Sequence, residues 1–368
     1  MPASVVRSRL SALRFTDPAA DPGWAHEVVP GTGGAPLPAS PRPLEVQVAG
    51  AGTVRGLDQW VTETSTTSLL VLDRGTVVHE WYAAGLEATT RFLGASMTKS
   101  ALAHLVGRAV DEGALDLDDP VADHVPELGA TGWRDARVLD VLTMTSGVDW
   151  VEDHRDPDTP ASRLVGSFAE GRASRDVLLE VGSEAAPGTR WTYCTGDSQV
   201  LDWVRERATD RPFAADLALL WADLGCTEDA HVAVDGDGVA LAGGGLAATS
   251  RDWSRLGLHA AAGAWADAAA RPAYGFTAPG RLPSTITAHV GFGRHWWPLD
   301  DHGDRVAADG SRGQFVAVDR RTGATVVKTS LWPYDDAWAD RQHRDLSYLG
   351  LHALLDHLDP DPEGEPRP

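Results

Sequence analysis

Lysine is almost absent from this 368-residue chain: of its 32 basic residues only Lys99 and Lys328 are lysines. Arginine carries the positive charge everywhere else. A guanidinium keeps its proton in a protein, whereas an amine can release one and act as a base, so a retained lysine is a candidate for proton transfer. Cysteine is scarce too. Cys194 and Cys226 could form at most one bridge, which excludes a disulfide-stapled secreted scaffold and fits a reducing compartment. No apolar run approaches the roughly 20 residues that span a bilayer. The N-terminal MPASVVRSRLSALRF has arginines but neither a continuous apolar stretch nor a small-residue cleavage site. The expectation is a soluble, cytoplasmic protein with no membrane partner. A formal charge of −21 would repel phosphate backbones, which removes nucleic acid from the expected partners. That charge either favours cationic substrates or only keeps the protein in solution.

What is present is enough for a large core, since 43% of the residues are hydrophobic. Residues 16–43 are dense in Pro, Gly and Ala and read as an arm without regular structure. Ser68–Leu72 and Thr76–Tyr82 are β-rich runs separated by Asp73-Arg74-Gly75, which predicts a hairpin. From Ser96 the pattern turns helical, with Leu102, Leu105, Val106 and Val110 spaced three and four apart. Further helical stretches are expected around 116–125, 137–145, 174–181 and 197–208. Strand character returns in 313–319 and 324–328 around the turn Arg320-Arg321-Thr322-Gly323, and an amphipathic helix over 341–358 closes the chain. Strands at both ends and helices between them predict an α+β fold in which the termini build one antiparallel sheet around an inserted helical subdomain. The boundaries read as an arm over 1–43, a sheet subdomain over 44–95 and 245–358, a helical subdomain over 96–244, and an acidic tail over 359–368. A pocket for a small-molecule substrate belongs at the interface of the two subdomains.

Ser96 stands at the start of the predicted helix, where backbone N–H groups lack intrahelical acceptors and could hold a developing oxyanion. Lys99, three residues on, shares its face and could take the serine proton. The plainer reading of the same residues is a helix cap followed by a solvated lysine. The segments that follow bear on the choice: Val138–Val148 with its Thr145-Ser146-Gly147, Pro187–Tyr193, and Gly243–Asp252, in that order.

Together with Leu93–Lys99 these boxes resemble the class C β-lactamase-like serine hydrolases, over about residues 65–355. Tyr193–Leu201 and Gly310–Phe315 look most like the 6-aminohexanoate-dimer (nylon-oligomer) hydrolase and esterase branch. The resemblance implies a β-lactamase/transpeptidase-like fold and an acyl-enzyme on Ser96, with no cofactor. It implies that Tyr193 shares the acid and base work with Lys99, a role a phenol beside an ammonium can fill by relaying a proton. It implies that the N–H groups of Ser96 and Gln314, the latter after Gly313, form the oxyanion hole. Two boxes depart from the pattern. Thr195 stands where the second box usually has asparagine. The third box reads Ser311-Arg312-Gly313, with no lysine or histidine in first place, which counts against penicillin hydrolysis; Arg312 is the remaining candidate for anion recognition.

Trp150, with Trp191, Trp296 and Trp297, is a candidate wall for an apolar pocket, against the ordinary core role of tryptophan. Trp150, Thr195 and Arg312 are the expected substrate contacts, and the acidic stretch Asp149–Asp153 could meet a substrate ammonium. Lys328-Thr329-Ser330 imitates a third box but ends the wrong strand. The 13 histidines show no metal-binding spacing, so no metal is expected. Gly243-Gly244-Gly245 lacks the remainder of a phosphate loop. The reading is therefore hydrolysis of a small ester or linear amide, for example an aminoalkanoate oligomer. The alternatives are a D-amino-acid peptidase of penicillin-binding type or a non-catalytic small-molecule-binding relative. Monomer and homodimer both stay open.

Overall fold

The structure, a computed structural model, describes residues 14–21, 23–50, 52–275, 291–300, 302–332 and 341–359. The expected hairpin forms: Thr66–Asp73 pairs with Thr76–Tyr82, and Arg74 and Gly75 turn the chain at φ 48° and 79°. Beside Thr66–Asp73 lies Ala324–Ser330 from the far end of the chain, with Lys328 opposite Leu69. Gln314–Asp319, Arg305–Gly310 and Trp297–Pro298 complete a six-stranded antiparallel sheet. Successive side chains of a strand point to opposite faces. Leu69, Val71, Phe315 and Ala317 accordingly enter one core with Trp60, Tyr348 and Leu351, while Leu70, Leu72, Val316 and Val318 enter another with Leu102 and Val106. Covering on both faces is why Leu69–Leu72 is an unbroken apolar run. The last helix, Arg341–Leu358, lies where periodicity placed it and packs on one face. The fold is α+β, as expected.

On the other face the helix Met97–Asp111 is buried from Met97 through Gly107. Only a helix apolar around most of its circumference can sit centrally in this way. Thr195–Thr209 and Phe213–Leu224 pack against it. The helix Pro160–Glu170 was not expected, although its punctuation is in the sequence: Thr159 caps it by accepting from the Ser162 N–H, Pro160 opens it, and Gly171 closes it at φ 63°.

The arm departs from expectation. Residues Ala25–Val29 form a strand paired with Ala230–Val234, in register Ala25 opposite Val234. Nothing local dictates this, since only Val29 of the five is buried; the strand exists because a distant edge offers it hydrogen bonds. Ala230–Val234 and Leu246–Ala248, also unexpected, continue this second sheet to Phe92–Leu93. The four-stranded sheet therefore ends on the residues that lead into Ser96.

The two sheets meet the candidate site at a glycine contact. A Cβ placed on Gly310 would lie 2.1 Å from the carbonyl oxygen of Gly94, so the end of the hairpin at Gly310–Gln314 abuts the turn before Ser96. Gly310→Ala should therefore force two backbones apart and destabilise the protein by about 1–3 kcal/mol. Thermal unfolding followed by circular dichroism checks this, with an unchanged midpoint as the contrary result.

Candidate active site

The chain leaves the strand Phe92–Leu93 through Gly94 and then Ala95, which holds φ 46°. A left-handed alanine is strained and persists only where its surroundings dictate it. It delivers Ser96 at the head of the helix with φ −63° and ψ −9°. Ser96 occupies the cap position, yet its hydroxyl makes no capping hydrogen bond. Lys99 Nζ donates to that hydroxyl at 3.1 Å instead. Lys99 is far from solvated, at 3% exposure, while Ser96 is partly exposed.

Lys99 Nζ has two further partners, Gly243 O at 2.6 Å and Thr195 Oγ1 at 3.1 Å. Thr195 Oγ1 in turn donates to Glu152 Oε1 at 2.6 Å. The other carboxylate oxygen of Glu152 accepts from Thr195 N at 2.9 Å and from the Trp150 indole at 2.6 Å. Burial would raise the Glu152 carboxyl, but the neighbouring His154, the Lys99 charge and the Thr195 hydrogen bond together hold it well below the usual carboxylate range. Glu152 and its acidic neighbours read from sequence as a solvated loop or a contact for a substrate ammonium. Glu152 faces Lys99 and Thr195 instead, and Asp153 pairs with Arg155.

Tyr193 places its ring centroid 5.1 Å from Lys99 Nζ. Its ring stacks on Trp297 at 6.0 Å and 16° and meets Phe292 edge-on, in a cluster with Met144 and the partly exposed Trp191. Of the four tryptophans that were candidates for a pocket wall, Trp150 and Trp296 belong to the main core. Trp150 lies close over Gly196, where a Cβ would approach its ring to 2.6 Å, and Trp296 packs on His104.

Two buried groups missed by sequence reasoning hold the boxes together. His295 donates from Nδ1 to Leu142 O at 2.7 Å, because a carbonyl can only accept, which leaves Nε2 to accept from Ser198 Oγ at 3.0 Å. Burial, with the Lys99 charge adding to it, pushes its pKa down to about 3, so the ring is neutral. Asp197 accepts from the Trp133 indole at 2.7 Å and from Ser146 Oγ at 3.0 Å, which fastens Thr145-Ser146-Gly147 to the start of the Thr195–Thr209 helix. Burial raises this carboxyl to about 7 against the pull of those hydrogen bonds.

The third box is the turn between Arg305–Gly310 and Gln314–Asp319, with Arg312 at φ 61° and Gly313 at φ 87°. Arg312 donates from Nε and Nη2 to the Trp332 carbonyl. Gln314 begins the strand beside the Ser96 turn, and its amide donates to Ser330 O at 2.7 Å. Lys328 lies in the core on the other side of the sheet, donates to Ser330 Oγ, and approaches the rings of Trp60 and Phe315. Among the described residues, no cluster of His, Cys, Asp and Glu could hold a metal, and no helix is long and apolar enough to cross a membrane.

The site thus joins a partly exposed serine, a buried amine, a tyrosine ring over that amine and a hairpin end alongside. The Beta-lactamase family profile matches residues 57–349. The chain belongs to that family. It is a serine hydrolase of the β-lactamase-like kind, and hydrolysis through a serine acyl-enzyme is general to the family. Over 324 residues it is 31% identical to the 6-aminohexanoate-dimer hydrolase of Paenarthrobacter ureafaciens, covering 81% of each chain. Its fold matches that of a Bacillus anthracis protein provisionally assigned as a 6-aminohexanoate-dimer hydrolase, with TM-score 0.76 and 19% identity over 91% of this chain and 92% of that one. It also matches EstCE1, described as a hydrolase with promiscuous acyltransferase activity, with TM-score 0.60 and 16% identity over 81% of this chain and 98% of that one.

The raised Asp197 carboxyl has a consequence for the stability of this β-lactamase-family protein. The folded state holds the Asp197 proton more tightly than the unfolded chain, whose reference value is 3.8. The stabilisation is thus fully present below about pH 4 and is lost as pH rises through about 7. Asp197→Asn, which keeps a carbonyl for Trp133, should remove this dependence. The stability difference between wild type and variant should shift against the wild type by about 1.4 kcal/mol per pH unit inside that window. Denaturant unfolding at pH 5, 6, 7 and 8 measures it, and a pH-independent difference would contradict the assignment.

Proposed function

We propose that the protein hydrolyses small linear amides and short-chain esters, aminoalkanoate oligomers among them, through an acyl-enzyme on Ser96. The observation that carries this reading is the buried Lys99 amine 3.1 Å from the hydroxyl of a partly exposed serine. In the reaction the Ser96 proton passes to the Lys99–Tyr193 pair as Oγ bonds to the substrate carbonyl carbon. The oxyanion rests on the N–H groups of Ser96 and Gln314. The tetrahedral adduct collapses, the C–N or C–O bond breaks, and the departing amine or alkoxide takes the proton through Tyr193. Water then attacks the acyl carbon, returns a proton to Ser96 by the same route, and releases the carboxylic acid.

The choice of linear amides is supported by the relative at 31% identity, a 6-aminohexanoate-dimer hydrolase by name. Penicillins are poorer candidates. The third box offers Ser311 where a cation would hold their carboxylate, and Arg312 is directed to the Trp332 carbonyl.

Ser96→Ala should lower turnover of a p-nitrophenyl ester by roughly four orders of magnitude. Lys99→Arg should do nearly as much although it keeps the charge, because a guanidinium accepts no proton. A fluorophosphonate probe followed by peptide mass spectrometry locates the nucleophile, and an unlabelled Ser96 would sink the proposal. A panel of esters, linear amides and D-peptides then ranks the substrates.

A further inference from the structure

We propose that Glu152 is a positioning residue for the nucleophile: acting through the Thr195 hydroxyl, it turns the Lys99 amine so that its proton-accepting lone pair faces Ser96. The inference rests on Ser96 being the nucleophile and deepens that reading. It follows from which atoms can donate and which can only accept.

Glu152 is ionised, so both its oxygens are acceptors. Thr195 Oγ1 lies 2.6 Å from one of them and must point its hydrogen there. The threonine oxygen can then only accept from Lys99, at 3.1 Å. Gly243 O is a carbonyl and also can only accept, at 2.6 Å. Two of the directions around Nζ are thereby fixed as N–H bonds. The direction toward Ser96 is the one that changes with protonation, an N–H in the ammonium and a lone pair in the amine. A neutral Lys99 so held has its base site on the Ser96 hydroxyl.

Without Glu152 the Thr195 hydroxyl is free to rotate and give its own hydrogen to the amine. That would occupy the lone pair and leave Ser96 without a base. The carboxylate is itself immobilised, since its second oxygen accepts from the Thr195 N–H at 2.9 Å and the Trp150 indole at 2.6 Å. The substitution Glu152→Gln would keep the volume but set an NH2 group against donors on one side or the other. The charged and titratable groups facing Glu152 are Lys99 and His154, with Cys194 behind Thr195 and Tyr193 over Lys99.

The test compares wild type, E152Q, T195V, T195S and the E152Q/T195V double variant, using a p-nitrophenyl ester and the rate of fluorophosphonate labelling at Ser96. E152Q and T195V should each slow acylation by roughly 10- to 100-fold with little change in KM. The double variant should be no slower than T195V alone, because both changes cut the same relay. T195S, which keeps the hydroxyl, should stay within a few-fold of wild type. Wild-type labelling rates in E152Q, or losses that add in the double variant, would overturn the proposal while leaving the hydrolase reading intact. Should E152Q fail to fold, T195V against T195S decides: equal rates overturn the relay. A wild-type protein that does not label at Ser96 removes the hydrolase reading, and this one with it.

Discussion

Burial of the Lys99 nitrogen is the constraint around which the site is arranged. An amine at 3% exposure must place its N–H groups on acceptors, since an unpaired buried polar group costs about 1–3 kcal/mol and a buried unpaired charge more. The acceptors come from three segments distant in sequence: Ser96 on the same helix, Thr195 at the head of a second helix, and Gly243 in a turn. Fixing one nitrogen therefore fixes the mutual position of three boxes. The Gly243 carbonyl reaches it only because residue 243 lacks a side chain. A Cβ there would sit 2.7 Å from the Thr195 methyl and 3.5 Å from Nζ itself. Close approach of backbone to lysine accounts for this glycine better than any phosphate-binding role.

The two surviving lysines show what their scarcity means. Both are buried, Lys99 at 3% exposure and Lys328 fully. Lys328 sits against Trp60 and Phe315, and burial pushes its amine well below the ordinary range. Scarcity thus marks burial. Neighbours decide which of the two has chemistry within reach: Lys99 has the hydroxyl of a partly exposed serine, and Lys328 has the hydroxyl of a serine enclosed with it in the core.

Local pattern was legible where local physics governs. The hairpin around Asp73-Arg74-Gly75, the helix beginning at Ser96 and the terminal helix follow from turn chemistry and periodicity. The strand Ala25–Val29 was not legible, because its hydrogen bonds are to Ala230–Val234 and its own residues carry little alternation. Glu152 shows a different limit. Its residue type and acidic setting were visible, but its direction was not; an acidic run suggests a solvated or substrate-facing surface until the fold turns one carboxylate inward. Asp197 and His295 escaped notice because each acts through buried hydrogen bonds, which leave no periodic trace in sequence.

The second box makes the physical logic of that inward carboxylate concrete. The chain contains no asparagine at all, so no asparagine amide is available beside Lys99. An amide carries its donor and its acceptor on separate atoms. A hydroxyl is a rotor that serves as either, so a threonine at position 195 requires something to set its direction. Glu152 meets that requirement, and it brings its own support. Trp150 holds one carboxylate oxygen, and the adjacent Asp153 carbonyl accepts from Thr159 and Ser162 at the head of the Pro160–Glu170 helix. The orientation of a single hydroxyl next to the candidate base is thereby tied, through the adjacent residues Glu152 and Asp153 and their hydrogen bonds, to the seating of a helix outside the nucleophile's own.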